Sequence, residues 1–114
     1  MSGTLKTLAG PAAMANAAAN IFTPSGGSAL IMDVMTHITI VNKTAAAATA
    51  SLFIGATGGS AAGTEFWVSA TSVPANAAIH WYGRQKLTST TFLSGLASAA
   101  TTLTIIVEGE QIVI

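Results

Sequence analysis

Residues 29–42, ALIMDVMTHITIVN, constrain the fold more strongly than any other segment of the chain. The even positions are apolar except for Thr36, whereas the odd positions mix apolar residues with Asp33 and His37. Alternation with a period of two predicts a strand that has one face in a core and the other face partly exposed. The length of the segment further predicts a bend near Thr36 or two consecutive strands.

Short apolar segments separated by turn signals extend this β pattern along the chain. We expect strands at 48–55, 65–72, 77–82, 87–93 and 101–107, a proline turn at 73–76, and breaks at Gly83, 95–100 and 108–110. Seven or eight short strands at roughly 8–12-residue spacing, without helical crossovers, are typical of an antiparallel β-sandwich or jelly roll. We therefore predict an all-β fold of this type.

The first twenty residues have low complexity and no amphipathic stripe. Residues 4–8 could add an edge strand, whereas residues 12–19 have good helix propensity. We predict an extended or partly helical N-terminal arm at 1–20 that becomes ordered on a neighbouring subunit. The β-sandwich domain would then occupy residues 21–114.

Charge is scarce: only 7% of the 114 residues are charged, 51% are hydrophobic, and the net charge is zero. Soluble domains usually carry about 25% charged residues, and a monomer with so few tends to associate. No apolar run reaches the roughly 18 residues that cross a membrane. The four basic residues form no footprint for nucleic acid. We therefore expect a homo-oligomer, with neither a membrane nor a nucleic acid as partner.

The glycine-rich segment SLFIGATGGSAAGTEF at 51–66 has the outline of a phosphate-binding loop, because Gly58 and Gly63 are followed by Thr64. A functional loop of that kind needs a lysine and a helix after it. Here the lysine is missing, and a strand is expected instead. We interpret the segment as a connection between strands, and we predict that Gly58, Gly59 and Gly63 contact a neighbouring subunit.

Groups that could perform catalysis or bind a metal are few. His37 and His80 are the two histidines among the 114 residues, and cysteine is absent. Neither histidine has the neighbours in sequence that a nucleophilic triad needs. A metal site would require both to converge with Glu65, Glu108 or Glu110. We therefore predict no catalytic, cofactor-binding or metal-binding residues, and interpret each histidine as a packed or interface residue.

The most informative chemical patch is His80-Trp81-Tyr82-Gly83-Arg84. Aromatic residues and arginine are enriched at interaction hot spots. Strand alternation places Trp81 on the opposite face from His80 and Tyr82. We predict that one face belongs to the core and that Trp81, Tyr82 and Arg84 contribute to an intersubunit contact. Stacking on a sugar ring is the alternative.

Three segments carry a family resemblance: IFTPSGGSALIMDVMTHITIVNKTAAAATASLFIGATGG, SVPANAAIHWYGRQKLTSTTFLSG and ASAATTLTIIVEGE. A threonine-proline entry precedes a strand ending in Val-Asn and an Ala/Thr hairpin. A Pro-Ala-Asn turn, an aromatic strand and a threonine-rich last strand follow. This order resembles a family of small virion proteins from tailed bacteriophages over roughly residues 20–110.

The resemblance implies a non-enzymatic structural protein of the phage virion, made in the host cytoplasm. As a capsid decoration (cement) subunit it would bind copies of itself and the major capsid protein or other virion proteins. The alternatives are a tail or neck component, or a carbohydrate- or host-receptor-binding module that uses Trp81 or Tyr82 with the 56–64 loop. No cofactor accompanies any of these functions.

Overall fold

The computed structural model of the chain describes residues 2–23, 31–87 and 91–113. The strands are β1 (Ser2–Ala13), β2 (Ala19–Phe22), β3 (Ile31–Asn42), β4 (Ala48–Gly55), β5 (Thr71–Val73), β6 (Ala77–Leu87), β7 (Phe92–Ala97) and β8 (Leu103–Val113). They form two four-stranded antiparallel sheets, which confirms the predicted all-β sandwich. The described ranges contain no helix, and hence none long and apolar enough to cross a membrane.

The strand order is β1-β8-β3-β6 in one sheet and β2-β7-β4-β5 in the other. The first and last strands are therefore neighbours, as are the second and seventh, the third and sixth, and the fourth and fifth. This is the arrangement of one long hairpin wrapped into two sheets, which is the jelly roll. The jelly-roll alternative among the sequence predictions is thus confirmed.

The two sheets differ in size. We call β1-β8-β3-β6 the long sheet, because its strands have 11 or 12 residues. We call β2-β7-β4-β5 the short sheet, because its strands have 3 to 8 residues. The edge strands of the long sheet, β1 and β6, therefore offer much more unpaired backbone than β2 and β5.

The hydrophobic core lies between the two sheets and draws on both. Its fully buried side chains include Met35, Ile38, Ile40, Leu103, Ile105 and Val107 of the long sheet, and Ala50, Leu52, Val73 and Leu93 of the short sheet. Burial of such side chains is the main stabilising contribution to a fold of this size.

A β-bulge at Thr36 decides which side chains of β3 face the core. The register shifts between Met35 and His37 in the pairing of β3 with both of its neighbours. Before the bulge the odd-numbered Met35 is buried in the core, and after it the even-numbered Ile38 is. The predicted bend is confirmed, but the prediction of one continuous even-numbered core face is wrong, because a bulge reverses the alternation.

Asn42 joins the two sheets at the end of β3. Its side chain is fully buried, and Nδ2 donates to the carbonyl oxygens of Ala46 and Val73 at 2.9 and 3.0 Å. Oδ1 accepts hydrogen bonds from the backbone N–H and the hydroxyl of Thr44 at 2.9 and 2.7 Å. All hydrogen-bonding groups of the amide are therefore used, as burial requires.

Several predicted boundaries are confirmed and others are wrong. Strand β4 has the predicted bounds, and the turn at 73–76 is present. Gly83 does not end β6, residues 108–110 do not end β8, and β7 continues through Gly95 to Ala97. The predicted strand at 87–93 lies partly outside the described residues, as do the first two residues of the segment at 29–42.

The predicted strand at 65–72 does not form, apart from its last two residues, Thr71 and Ser72, which belong to β5. Trp67 and Ala70 have positive φ angles of 63° and 47°, which extended strands do not accommodate. The chain instead bends along β4, where Leu52 N–H donates to the Val68 carbonyl at 3.1 Å and Phe66 N–H to the Leu52 carbonyl at 2.9 Å. Val68 is thereby buried in the core.

The N-terminal segment is part of the sandwich. Strand β1 is an edge strand paired with β8, which agrees with the edge strand expected at 4–8. The helical alternative for 12–19 is wrong: Met14 is buried, and its N–H donates to the Leu103 carbonyl at 2.8 Å. The predicted domain boundary at residue 20 falls inside β2, so residues 2–22 are ordered on their own chain.

Candidate interaction face and histidine cluster

The charged residues are concentrated on the long sheet. Lys6, Asp33, Arg84, Lys86, Glu108 and Glu110 lie on its strands, whereas Lys43 and Glu65 lie in loops. Both histidines also lie on the long sheet, at positions of β3 and β6 that face outward. The strands of the short sheet, within their described bounds, contain no Asp, Glu, Lys, Arg or His. Most charged side chains and both histidines therefore belong to the long sheet.

The strand register brings five outward side chains of the long sheet together. His37 pairs with Tyr82 and Thr39 with His80 across β3 and β6, and His37 pairs with Glu108 across β3 and β8. Cross-strand partners have Cβ atoms about 4.5–5.5 Å apart. We call His37, Thr39, His80, Tyr82 and Glu108 the histidine cluster.

Hydrogen-bond distances connect the polar members of the cluster. His37 Nδ1 lies 3.2 Å from Glu108 Oε1, and His37 Nε2 lies 3.2 Å from His80 Nδ1. Thr39 Oγ1 lies 3.1 Å from His37 Nε2 and 3.2 Å from His80 Nδ1. A carboxylate only accepts, so Nδ1 of His37 must carry a hydrogen to bond it. In the neutral ring, Nε2 of His37 then presents its lone pair to His80.

The three rings of the cluster stack on one another. His37 and Tyr82 are nearly parallel, with centroids 4.4 Å apart and an interplanar angle of 7°. His80 stacks less closely, 5.4 Å from His37 and 6.1 Å from Tyr82. Tyr82 is nevertheless 71% exposed. The cluster is therefore ordered by its own contacts while remaining open to solvent.

The cluster contains a hydroxyl, an imidazole and a carboxylate in succession, which is the order used in nucleophilic catalysis. The Thr39 hydroxyl is, however, shared between two imidazoles. Strand β3 also pairs with a neighbour on each side, so its backbone N–H groups are committed to the sheet and cannot act as an oxyanion hole beside Thr39. The hydroxyl, imidazole and carboxylate therefore lack oxyanion-hole donors from the backbone of β3.

A shallow depression of about 300 Å³ lies beside the cluster, between β1, β3 and β8. Its lining includes Leu5, Thr7, Thr36, His37 and Glu108. Leu5 is 78% exposed. In the described ranges, the exposed large hydrophobic side chains are those of Leu5 and Tyr82. We call the outward surface formed by Leu5, the histidine cluster, Arg84 and Glu110 the cluster face.

The predicted interface residues of β6 lie on opposite faces of the long sheet. Tyr82 and Arg84 point outward, and Arg84 Nη1 lies 3.5 Å from Glu110 Oε1. Trp81 packs against the core instead, with its ring centroid 5.2 Å from that of Phe66 in an edge-on arrangement. The predicted separation of Trp81 from His80 and Tyr82 is confirmed.

The predicted glycine contacts lie on the other side of the molecule. Gly58 N–H donates to Asn20 Oδ1 of β2, and the Gly59 carbonyl accepts from the Ser94 hydroxyl of β7, each at 2.6 Å. Gly63 N–H donates to Glu65 Oε1 at 2.7 Å. The first two contacts hold the loop on the outer side of the short sheet. It therefore does not form one site with Tyr82, as the glycan-binding alternative requires.

Sequence reasoning misses the histidine cluster. The alternation of β3 indicates that His37 and Thr39 share a face, but the partners His80 and Glu108 depend on the strand register. That register depends on the bulge at Thr36 and on pairing between strands distant in sequence. The sequence offers Glu108 as a partner only if both histidines converge on it, and the structure places it against His37 alone.

Within the described ranges, no group of three or more His, Cys, Asp and Glu side chains is placed to hold a metal ion. In comparisons with known proteins, the chain matches no family model and no curated protein sequence.

Proposed function

We propose that the chain is a non-enzymatic structural subunit of a bacteriophage virion, a capsid decoration protein that binds copies of itself and the shell through the cluster face. The observation that carries this proposal is the exposure of Leu5 and Tyr82 on the outward face of the long sheet, at 78% and 71%. Large apolar side chains exposed together on one surface mark interaction sites.

The composition of the cluster face fits an interface. Tyrosine and arginine are enriched among the residues that dominate binding energy, and Tyr82 and Arg84 lie on neighbouring outward positions of β6. The carboxylates of Glu108 and Glu110 lie on the same face, beside the rings and the guanidinium group. Leu5 and Tyr82 lie on the two edge strands of the sheet, with polar side chains of β3 and β8 between them. Protein interfaces likewise combine apolar and polar contacts.

The edges of the long sheet are less suited to assembly than its face. An exposed edge of 11 or 12 residues would pair with other strands without limit unless something prevents it. Arg84 and Lys86 on β6, and Lys6 and Pro11 on β1, are the charged and proline residues that natural sheets use for this purpose. Isologous assembly through the face would yield closed contacts instead of fibres.

Two further observations, the fold and the sequence resemblance, support a role in a virus particle. Jelly rolls occur in viral capsid proteins and in lectins, but a fold does not by itself assign a function. The resemblance to small virion proteins of tailed phages favours the capsid. A subunit that binds only the assembled shell would stabilise that shell by mass action, and repeated contacts would add avidity.

Electron cryomicroscopy of particles produced by the genome that encodes this chain tests the proposal. We expect copies at symmetry-related positions on the shell, with Leu5 and Tyr82 buried in contacts. Copies located in the tail or neck would replace the decoration role by that alternative. Absence of the chain from purified particles would contradict the proposal as a whole.

Binding of a glycan or a host receptor is the second candidate, because the exposed Tyr82 ring could stack on a sugar. A glycan array distinguishes this function. Binding that is lost in Tyr82→Ala but kept in Trp81→Phe, a conservative change on the core side, would support it. Absence of binding across a broad array would count against it.

A further inference from the structure

We infer that the histidine cluster is a binding site for a divalent transition-metal ion, held by His37 Nε2 and His80 Nδ1 with the Thr39 hydroxyl as a third donor. The inference does not depend on the proposed function, since it concerns the chemistry of one face of a single chain.

The distances between the donor atoms carry the inference. Two nitrogens bound to one tetrahedral zinc ion at about 2.05 Å lie about 3.3 Å apart. The facing nitrogens of His37 and His80 are 3.2 Å apart, and Thr39 Oγ1 lies 3.1 and 3.2 Å from them. The three atoms form a nearly equilateral triangle with the dimensions of one face of a coordination tetrahedron.

Glu108 provides the second, independent observation. The ring nitrogen of a metal-bound histidine that does not contact the metal normally donates its hydrogen to a carboxylate or carbonyl. Glu108 Oε1 lies 3.2 Å from His37 Nδ1, and so selects the form of the ring whose Nε2 lone pair faces His80. The His37 imidazole is thereby prepared as a ligand. His80 must carry its hydrogen on Nε2 for its Nδ1 to bind the ion.

The surroundings hold both rings in place and leave room for further ligands. Tyr82 stacks on His37 at a centroid distance of 4.4 Å, and the two histidines lie on adjacent, paired strands. The His37 side chain is 25% exposed and that of Glu108 is 53% exposed. His80 is exposed, so water or a donor from a docked partner can reach an ion bound between the two rings.

The type of donor selects the metal. Two neutral imidazoles suit Zn²⁺, Cu²⁺ or Ni²⁺, whereas Mg²⁺ and Ca²⁺ prefer sets of oxygen ligands. The chain has no cysteine, so no thiolate competes for the ion. Cu²⁺ should bind more tightly than Zn²⁺, following the general order of affinity for nitrogen sites.

Calorimetric titration of the untagged full-length protein with zinc chloride, after removal of metals by chelation, tests the inference. We expect one Zn²⁺ per chain and loss of this binding in His80→Ala. Because the chain has two histidines, their ring signals in NMR spectra report directly on the site and should both shift on titration.

A matched pair of glutamate variants separates the role of Glu108 from a general effect of charge. Glu108→Gln should weaken zinc binding about 10-fold to 100-fold, as expected for loss of a partner to a ligating histidine. Glu110→Gln removes the same charge from the same strand, where the carboxylate contacts Arg84, and should leave the affinity within about twofold, because Glu110 contacts neither ligating ring. Circular dichroism verifies that each variant is folded.

Three results would overturn the inference. The first is the absence of both a heat signal and a shift of the histidine signals at millimolar zinc. The second is binding of unchanged affinity in a folded His80→Ala variant. The third is equal weakening by Glu108→Gln and Glu110→Gln, which would indicate non-specific attraction of the cation.

Discussion

The long and short sheets are alike on their inner faces and different on their outer ones. Each contributes fully buried aliphatic side chains to the same core, for example Ile38 and Leu52. Outside, the long sheet carries both histidines and most of the charge, whereas the strands of the short sheet carry none within their described bounds. Both sheets therefore contribute to the core, whereas the strand residues with charged or histidine side chains in the described ranges belong to the long sheet.

The difference follows from how the chain covers each outer face. The loop after β4 returns over the short sheet, and Asn20 and Ser94 hold it there through hydrogen bonds. The cluster face of the long sheet has no such cover in the described part of the chain, and Leu5 and Tyr82 remain exposed. A partner would be expected on the face that the chain itself leaves open.

The largest expected effect tests whether the inner faces are equivalent. Ile38→Ala in the long sheet and Leu52→Ala in the short sheet should each lower the free energy of unfolding by about 2–5 kcal/mol, because each leaves a cavity in a fully packed core. Denaturation by urea measures this loss. Leu5→Ala, on the exposed side, should change stability by less than about 0.5 kcal/mol. A small loss of stability in Leu52→Ala, together with a large loss in Ile38→Ala, would contradict the equivalence of the two inner faces.

The connection between the sheets gives the next largest effect. Asn42→Ala should destabilise the protein by about 2–4 kcal/mol, because it removes four hydrogen bonds of an amide that is fully buried. Asn20→Ala is the matched control, since Asn20 is exposed and fixes only the loop. Its expected cost is below about 1 kcal/mol. An equal fall in melting temperature in both variants would contradict the special role of Asn42.

A smaller effect is expected from the loop over the short sheet. Gly58 has a φ angle of 61°, and a methyl group added at its Cα would meet no other atom within 4 Å. Gly58→Ala should therefore cost about 1 kcal/mol through backbone strain alone. Gly58→Asn should cost less, because asparagine adopts this conformation more readily. Melting temperatures measure both, and equal losses would indicate that contacts instead of strain limit this position.

The smallest effect concerns the ion pair on the cluster face. Arg84 and Glu110 are 3.5 Å apart, and the Arg84 side chain is 64% exposed. Exposed pairs contribute about 0.2–1 kcal/mol, so Arg84→Ala should lower stability by no more than that. A double-mutant cycle with Glu110→Gln isolates the coupling. A coupling above about 2 kcal/mol, beyond the range of exposed pairs, would show that this pair is part of the framework.

The sequence predicts the fold class because short apolar segments separated by turn signals alternate locally, as β6 does from Ala77 to Tyr82. It fails where the alternation is interrupted, at the bulge of β3 and at Trp67 and Ala70, whose positive φ angles no local pattern indicates. The sequence pattern also mistakes glycines for breaks. Gly83 lies inside β6, where the Trp81 ring occupies the space that a side chain at this position would need.

For the candidate site, the sequence predicts which face of its strand each side chain occupies. It does not predict which side chains of different strands come together. Alternation correctly separates Trp81 from Tyr82 across β6. The convergence of His37 with His80 and Glu108 depends on long-range register, for which a single sequence holds no direct signal. The glycine loop shows the same limit, since its partners Asn20 and Ser94 are distant in the chain.

Sedimentation velocity of the purified protein over a range of concentrations tests the central claim, that the cluster face is the association surface. We expect the wild-type chain to self-associate and Tyr82→Lys to sediment as a monomer. Ser72→Lys adds the same charge to an exposed position of the short sheet and should associate like the wild type. A monomeric wild type, or equal disruption by both substitutions, would contradict the claim.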